Sequence, residues 1–308
     1  MAGLDTVLEA LAAYWSAPVV LVVISVVAAS MATFAYVFLT NARNARLRVS
    51  LLTGLYALTI FFWLFVAASL VLCMSQANLV AYRKNGVAIA AGAAVFTAFA
   101  VTAVVSWLVW RLAAASVLRA FAPRPPREDE RWLREYVALL ANFEGVAPPL
   151  LGVVDRDEPL AMAVGAKQSR VLVSRGLLEA LDREEVQTVV AHELMHLKNH
   201  DAEFKIVSTT LSRLLVFDPL SKLFDPAVHR EREYLADEMG GRATGKPAAL
   251  ASALLKIADR GAPPKAAWGI SIFGPGRGMF SRYPPLRERV DRLLLLSDLL
   301  SVETPGPA

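Results

Sequence analysis

Apolar residues dominate the first 121 residues of the chain and become sparser beyond them. Three stretches there contain no charged residue, namely residues 18–40, 51–74 and 87–110, and each is 23 or 24 residues long. About 20 apolar residues are enough for a helix to cross the hydrocarbon core of a bilayer. The pattern therefore predicts a membrane domain over residues 1–121 with three transmembrane helices, anchored in the lipid bilayer.

The pattern after residue 121 is typical of a soluble domain of the α+β class that is mainly helical. The Pro-rich, charged segment 122–130 predicts a linker, and residues 131–300 predict the folded domain, followed by a disordered tail over 301–308. Short apolar runs predict strands, and "GAKQS" between the last two predicts that they pair as an antiparallel hairpin. The predicted strands are 150–155, 161–164 and 170–173, and the predicted helices include 131–143, one from 183, 226–239, 247–260 and 286–300.

The basic charge of the chain belongs to its membrane domain. The net charge is +4, yet residues 1–121 hold seven basic and two acidic residues. The other 187 residues carry 25 basic and 26 acidic residues, which argues against nucleic acid as a partner. Arginines cluster in the first loop and after the third stretch, so the positive-inside rule predicts an N-terminus outside the cell membrane and everything after residue 111 in the cytoplasm.

Three of the four histidines lie in the eleven residues "AHELMHLKNHD" (191–201). Asp182 and Glu185 have the spacing of a capping box, which predicts a helix from Arg183. His192 and His196 are then one turn apart on one face. The helix thus carries an H-E-x-x-H arrangement.

This arrangement suits a catalytic zinc ion, one per chain. Neutral imidazoles are good Zn²⁺ ligands, and a catalytic zinc lowers the pKa of its water toward about 7. Glu193 can take the proton from that water and pass it to the leaving amine. The pattern therefore predicts a zinc metalloprotease of the zincin type with a short antiparallel sheet, and Glu193 as its general base.

A third protein ligand is expected from the segment "DPAVHREREYLADEMGG" (225–241). Pro226 is suited to the first helical position, and the two glycines at 240 and 241 predict the helix end. His229, Glu233 and Asp237 recur at four-residue spacing on one face of this helix. Periodicity alone leaves both His229 and Glu233 open as the ligand.

These motifs together resemble the HtpX and CAAX-prenyl-protease family of membrane zinc metallopeptidases. The shared features are "HELMH" with Asn199 and Asp201, "EYLAD" (233–237) and "YPPLRERV" (283–290). The resemblance implies that His192, His196 and Glu233 bind zinc. It also implies that Asp237 orients a ligand histidine, and it extends to Asn199 and Asp201 as further residues around the site.

The chain departs from that family at two points. HtpX-type members have hydrophobic spans between the two metal-binding helices, whereas residues 197–232 here are short and charged. Tyr283 stands where the family has a histidine that contacts substrate or the developing oxyanion. A tyrosine hydroxyl also donates a hydrogen bond, so Tyr283 is the expected oxyanion donor and Arg289 the next candidate.

Substrate is expected to bind along an edge strand. Ala161, Met162, Ala163 and Val164 form the predicted strand with small, alternating residues, which would let an extended peptide pair beside it. The substrates expected are polypeptides, in particular unfolded or membrane proteins. The resemblance implies an endopeptidase in membrane-protein quality control, and the alternatives are a regulatory protease in membrane signalling and a catalytically silent zinc-binding scaffold.

Overall fold

The described residues fold mainly into helices with one short sheet, which confirms the predicted fold class. The computed structural model describes residues 3–40, 45–165, 168–199, 201, 219–260, 281 and 283–303. It divides into two compact units, the first made of residues 1–108 and 211–224 and the second of residues 109–210 and 225–308.

The first unit is built from apolar helices. The first five helices of the chain are α1 (Leu4–Trp15), α2 (Pro18–Thr40), α3 (Ala45–Ser75), α4 (Ala77–Tyr82) and α5 (Gly86–Phe121). Three stretches within them are long and apolar enough to cross a membrane, Pro18–Val37, Ala57–Ser75 and Gly86–Val104. The three predicted apolar helices are therefore present, and α1 and α4 are additional helices that the sequence did not predict.

Helix α1 is amphipathic and packs against α4 and α3. The buried Tyr14 hydroxyl lies 2.8 Å from Ser69 Oγ of α3, and the Tyr82 hydroxyl donates to Glu9 Oε2 at 2.7 Å. These polar contacts hold α1 against the apolar helices, so its residues belong to the first unit as a packed element.

The second unit contains a three-stranded sheet in the order β1-β3-β2, with β1 at Leu150–Val154, β2 at Ala161–Val164 and β3 at Arg170–Ser174. β2 pairs antiparallel with β3, so the predicted hairpin is confirmed. β1 pairs parallel with β3, so the sheet is mixed rather than wholly antiparallel. β1 and β2 run in opposite directions on either side of β3, so β3, which is antiparallel to β2, is parallel to β1.

The segment predicted as a linker contributes to this sheet. The Arg124 N–H donates to the Val153 carbonyl at 2.8 Å, and the Val153 N–H donates to the Arg124 carbonyl at 2.9 Å. The Arg124 guanidinium also makes two 2.7 Å hydrogen bonds to Glu130 and one of 3.1 Å to Asp155. Residues 122–130 are thereby anchored beside β1.

The described part of the second unit also contains helices, of which those that begin at Arg131, Arg175 and Arg183 contact the sheet. In chain order, the helices are α6 (Arg131–Phe143), α7 (Arg175–Ala180), α8 (Arg183–Lys198), α9 (Pro219–Thr244), α10 (Pro247–Asp259) and α11 (Leu286–Glu303), with a 3₁₀ turn at Glu128–Glu130. α8 is central, since it packs against α6, α10, β2 and β3 and its residues from Thr188 to Leu197 are buried. The starts predicted for α6 and α8 are confirmed.

The predicted bounds of α9 are wrong at both ends. The helix begins before Pro226, and it continues through Gly240 and Gly241 to Thr244, where Gly245 has a positive φ of 67°. A side chain on Gly240 would place its Cβ 3.0 Å from the His192 nitrogen. Gly240 therefore serves close contact between α9 and α8 and does not end the helix.

The C-terminal end of the chain also differs from its prediction. Ser301–Glu303 continue α11 and are not part of a tail. Residues 304–308 of the predicted disordered tail lie outside the described residues.

Candidate active site

The start of α8 is held from two sides. Asp182 Oδ1 accepts a hydrogen bond from the Glu185 N–H, and Glu185 Oε2 accepts one from the Asp182 N–H, both at 2.9 Å. Glu185 Oε1 also accepts a hydrogen bond from Ser252 Oγ at 2.7 Å and lies 2.6 Å from Lys256 Nζ, both on α10. This reciprocal capping fixes the register of the helix that carries the histidines.

Three buried side chains converge beside α8. His192, His196 and Glu233 each offer a ligand atom, and these atoms all lie within 4.8 Å of one another. The two histidine Nε2 atoms are 3.1 Å apart, and Glu233 oxygens lie 3.5 Å from His192 Nε2 and 3.4 Å from His196 Nε2. Ligands about 2.1 Å from a tetrahedral zinc would be separated by about 3.4 Å. The arrangement therefore fits a metal ion of this size.

Charged groups contact His192 on its Nδ1 side, away from the triad. Its Nδ1 lies 2.9 Å from Asp237 Oδ1, which leaves Nε2 directed toward Glu233. Arg289 donates two hydrogen bonds of 2.7 Å to the two oxygens of Asp237, and its Nη1 lies 3.6 Å from Glu233. A carboxylate on Nδ1 fixes the tautomer and the orientation of a ligand histidine.

His196 has a corresponding support. Its Nδ1 lies 3.0 Å from Asp201 Oδ2, and Arg232 forms an ion pair with Asp201 Oδ1. All three side chains are buried. Both histidines thus present Nε2 to the same point.

Glu193 is fully buried on the same helix. Neither of its carboxylate oxygens has a hydrogen-bond partner among the described residues. A buried carboxylate without partners is costly, and such groups occur in native proteins mainly where a catalytic role or an ion accounts for them. Its charge also raises the pKa of Arg289, though less than Asp237 and Glu233 do.

The electrostatics of the cluster favour added positive charge. Burial disfavours the charged form of His192, yet Asp237 and Glu233 outweigh it and raise the pKa of His192 to about 9. Burial opposes ionisation of Asp237 as well, but Arg289 keeps the pKa of that carboxyl below its usual value. Burial lowers the pKa of Arg232, and Asp201 counteracts this effect. The carboxylates are therefore the dominant charges around the histidines.

Other predicted residues have different surroundings. Asn199 caps the end of α8 and donates from Nδ2 to Met239 Sδ at 3.4 Å. Tyr283 is buried, and its backbone N–H and carbonyl bond to Ser281 Oγ at 3.2 and 3.1 Å. His229 is buried on α9. It is not part of the triad, so of the two candidates that periodicity left open, the structure brings Glu233 to the histidines.

The predicted substrate strand, Ala161–Val164, is an edge strand of the sheet. One face of β2 packs against α8, and Met162 and Val164 on the other face pack against the end of α5. In the described part of the chain no strand pairs with β2 on the side away from β3. Its lateral edge is therefore the direction in which a further strand could add.

Two residues of the site were missed by sequence reasoning. Arg232 lies directly before Glu233, and no signal in the sequence distinguishes it from the other charged residues of the segment 225–241. Gly240 falls on the face of α9 that also carries Glu233 and Asp237. A glycine at this position resembles a helix stop. The four- and seven-residue spacing of residues 233, 237 and 240 instead indicated that the helix continues.

Comparison with known proteins agrees with this geometry. Residues 127–222 match the model of peptidase family M48. The HtpX protease homologue of Thermococcus sibiricus is 31% identical over 238 aligned positions, which cover 60% of this chain and 81% of that protein. The homologues of Pyrococcus abyssi and Acidiphilium cryptum are 33% and 32% identical, with 54% and 66% of this chain and 73% and 86% of the relative covered. The chain therefore belongs to peptidase family M48, the HtpX-like membrane zinc metallopeptidases.

Proposed function

We propose that this membrane protease is a zinc-dependent endopeptidase in which His192, His196 and Glu233 hold one zinc ion and Glu193 is the general base. The observation that carries the proposal is the buried triad, with ligand atoms 3.1 to 3.5 Å apart, beside a buried carboxylate that lacks a hydrogen-bond partner among the described residues.

The charges of the cluster support a divalent cation. Among the described residues, the buried charged groups around the triad are four carboxylates and two guanidiniums, Glu193, Asp201, Glu233, Asp237, Arg232 and Arg289. With neutral histidines their formal charge is about −2, and a divalent ion would bring it to about zero. Since buried net charge is costly, this balance favours Zn²⁺ over a monovalent ion.

The chemistry follows from the side chains around the ion. Zinc, when bound, supplies a Lewis acid for the scissile carbonyl and for water. Glu193 accepts a proton from the attacking water and donates it to the leaving nitrogen. Asp237 and Asp201 hold His192 and His196 with Nε2 toward the ion.

We further propose that the edge of β2 binds an extended stretch of substrate. The Ser174 N–H donates to the Leu160 carbonyl at 2.8 Å, which makes these two residues a hydrogen-bonded pair of the antiparallel ladder. Such pairs alternate, so the backbone groups of Ala161 and Ala163 face away from β3. Main-chain pairing there would accept many sequences, as a protease for unfolded segments requires.

Ala163→Pro tests the edge, because it removes one outward backbone donor. The expected result is a higher KM for many unrelated peptides with little change in kcat. Leu150→Pro, in the strand on the other side of β3, is a stringent control for general damage to the sheet, because it removes the hydrogen bond from the Leu150 N–H to the Ser169 carbonyl. An unchanged KM in Ala163→Pro would exclude this binding mode.

The oxyanion donor that we propose is Tyr283. Arg289 is less suited to that role, since two of its nitrogens bond to Asp237 and a third faces Glu233. Removing one oxyanion donor lowers kcat by about 10²-fold in comparable enzymes, so Tyr283→Phe should have an effect of that order at unchanged KM. Unchanged kinetics would assign the role to another group.

The setting that the family suggests is quality control of damaged membrane proteins. We propose three spans in a membrane domain over residues 1–121, the segment 122–130, and a cytoplasmic peptidase domain over residues 131–300. Cysteines introduced at Arg43 and Glu128, with Cys73 replaced by Ser, should resist labelling from outside intact cells. Ready labelling at either position would contradict this topology.

A silent scaffold with structural zinc explains the site less well, because a structural ion needs no buried carboxylate such as Glu193. The decisive experiment compares wild-type protein with Glu193→Gln in cleavage of casein or an unfolded membrane protein. The variant should keep its zinc and lose at least about 10²-fold in kcat, the lower bound for a general base. Equal cleavage by both proteins would refute the proposed function, whereas zinc loss in the variant would make Glu193 a ligand.

A further inference from the structure

The two ligand histidines have supports of the same chemical kind in different parts of the chain. Behind His192 the order is Asp237 and then Arg289, which comes from α11. Behind His196 the order is Asp201 and then Arg232. The second support differs because its arginine lies on α9, next to the proposed ligand Glu233.

Both oxygens of Asp201 are engaged in this second support. Oδ2 lies 3.0 Å from His196 Nδ1, and Oδ1 pairs with the Arg232 guanidinium. Asp201 is 1% exposed and Arg232 7% exposed, so water does not compete for either group. A buried carboxylate that loses its cation becomes an uncompensated charge and is driven to reorient or to take up a proton.

The position of Arg232 links two ligands of the site. Glu233 reaches the triad from α9, and the preceding residue reaches back to Asp201, just beyond the end of α8. A shift of α9 would therefore move one ligand directly and release the support of another.

We propose that Arg232 is a positioning residue for metal binding. By holding Oδ1 of Asp201 it keeps Oδ2 on Nδ1 of His196, so that Nε2 of His196 faces the ion. The inference rests on the proposed function, because it assumes that His196 is a metal ligand. The competing explanation is a purely structural ion pair between α9 and the segment after α8.

Zinc affinity separates the two explanations. In the full-length protein in detergent, competition with a chelating dye should show about 10-fold weaker zinc binding in Arg232→Gln, as for other residues that support metal ligands. Arg242→Gln is the matched control, since it removes a half-exposed arginine of the same helix that pairs with Glu238. Co²⁺ in place of zinc should give an altered visible spectrum in Arg232→Gln and the wild-type spectrum in Arg242→Gln.

A double-mutant cycle then tests whether Arg232 acts through Asp201. Asp201→Asn should weaken zinc binding by about 10- to 100-fold, and adding Arg232→Gln to it should have little further effect. A purely structural ion pair would lower thermal stability and leave the zinc affinity of the folded protein unchanged.

The outcomes are distinct from failure of the proposed function. If wild-type protein binds no zinc, the proposed function fails; if it binds zinc and Arg232→Gln binds it equally well, only this inference fails. Additive effects in the cycle would also overturn it. Should Arg232→Gln not fold, Arg232→Met removes the charge with a side chain suited to a buried position, and unchanged zinc affinity in that variant would overturn the inference equally.

Discussion

The apolar helices of the first unit and the helices around the candidate metal site bury opposite kinds of residue. In α5 the large side chains of Phe96 and Ile89 are 74% and 57% exposed, while the small residues Ala90 and Ala94 are buried. In α8 and α9 the most buried positions include charged and titratable groups such as Glu193, which is 0% exposed.

The difference lies in the surroundings that each set of helices requires. Exposed Phe and Ile on helices free of charge are stable in lipid, so composition alone predicts where the first unit lies. Buried charges are stable only in complete sets, with each carboxylate opposed by a guanidinium, an imidazole or an ion. The site therefore depends on particular contacts, and composition says little about it.

The largest expected effect on stability comes from removing one partner of the buried charged groups around the site. Arg289→Met should leave Asp237 without its two hydrogen bonds and cost about 3–5 kcal/mol, the usual effect of removing one partner of a buried ion pair. Thermal unfolding in detergent measures it. Arg287→Met, on the same helix with a 94% exposed side chain, should change stability by less than about 0.5 kcal/mol. Equal losses of stability in Arg289→Met and Arg287→Met would show that the buried ion pair does not stabilise the site.

The second-largest effect is expected from a charge introduced on the lipid-facing side of the first unit. Phe96→Arg is expected to raise the free energy of membrane insertion by about 2.5–3.5 kcal/mol, the value for arginine near the middle of a span. An insertion assay on the segment around α5 measures this change. Phe143→Arg is the control in the second unit. Phe143 lies at the end of α6 and is 81% exposed, so arginine at this position should change the stability of the protein little. Efficient insertion of Phe96→Arg would show that this face does not meet lipid.

Gly240→Ala should have a smaller effect on stability and a specific one on metal binding. The added Cβ would meet the His192 nitrogen and Cα at 3.0 and 3.1 Å, so α9 must move away from α8. Overpacking of this kind costs about 1–3 kcal/mol, and it should weaken zinc binding because Glu233 lies two turns away on the same face. Gly92→Ala in α5 is the control, since nothing lies within 4 Å of its Cβ position. Unchanged zinc affinity in Gly240→Ala would mean that the close contact is not needed.

The smallest expected effect concerns the segment before α6. A hydrogen bond from Arg124 lowers the pKa of Glu130 below 4.5, against the opposing effect of burial. A carboxyl whose folded pKa is depressed stabilises the fold above its unfolded pKa, and this contribution is lost as the pH falls through the folded value. Glu130→Gln should therefore cost about 1 kcal/mol at neutral pH and progressively less below about pH 4.5. A stability difference that stays constant with pH would rule out this linkage.

Local signals in the sequence predicted much of the fold. The capping box at Asp182 and Glu185 predicted the start of α8, and the turn-like "GAKQS" between 161–164 and 170–173 predicted the hairpin. The spacing of His192 and His196 predicted that both would share one face. Each of these features is decided by residues close together in the chain.

These local signals could not predict contacts between residues that are far apart in the chain. The choice of Glu233 over His229 depends on how α9 packs against α8, and so does the role of Gly240. Arg232 is part of the site because α9 passes Asp201, which lies three residues beyond the end of α8. The parallel pairing of β1 with β3 likewise depends on strand order, which periodicity does not contain.

Whether Glu233 is the third zinc ligand is tested by the zinc content of purified full-length protein, measured by mass spectrometry for wild type, His229→Gln and Glu233→Gln. Both variants replace a buried residue of α9, but Glu233 alone of the two lies with the histidines in the triad. We expect one zinc per chain in wild type and in His229→Gln, and far less than one in Glu233→Gln. Full zinc in Glu233→Gln with loss in His229→Gln, or no zinc in wild type at saturating concentration, would contradict it.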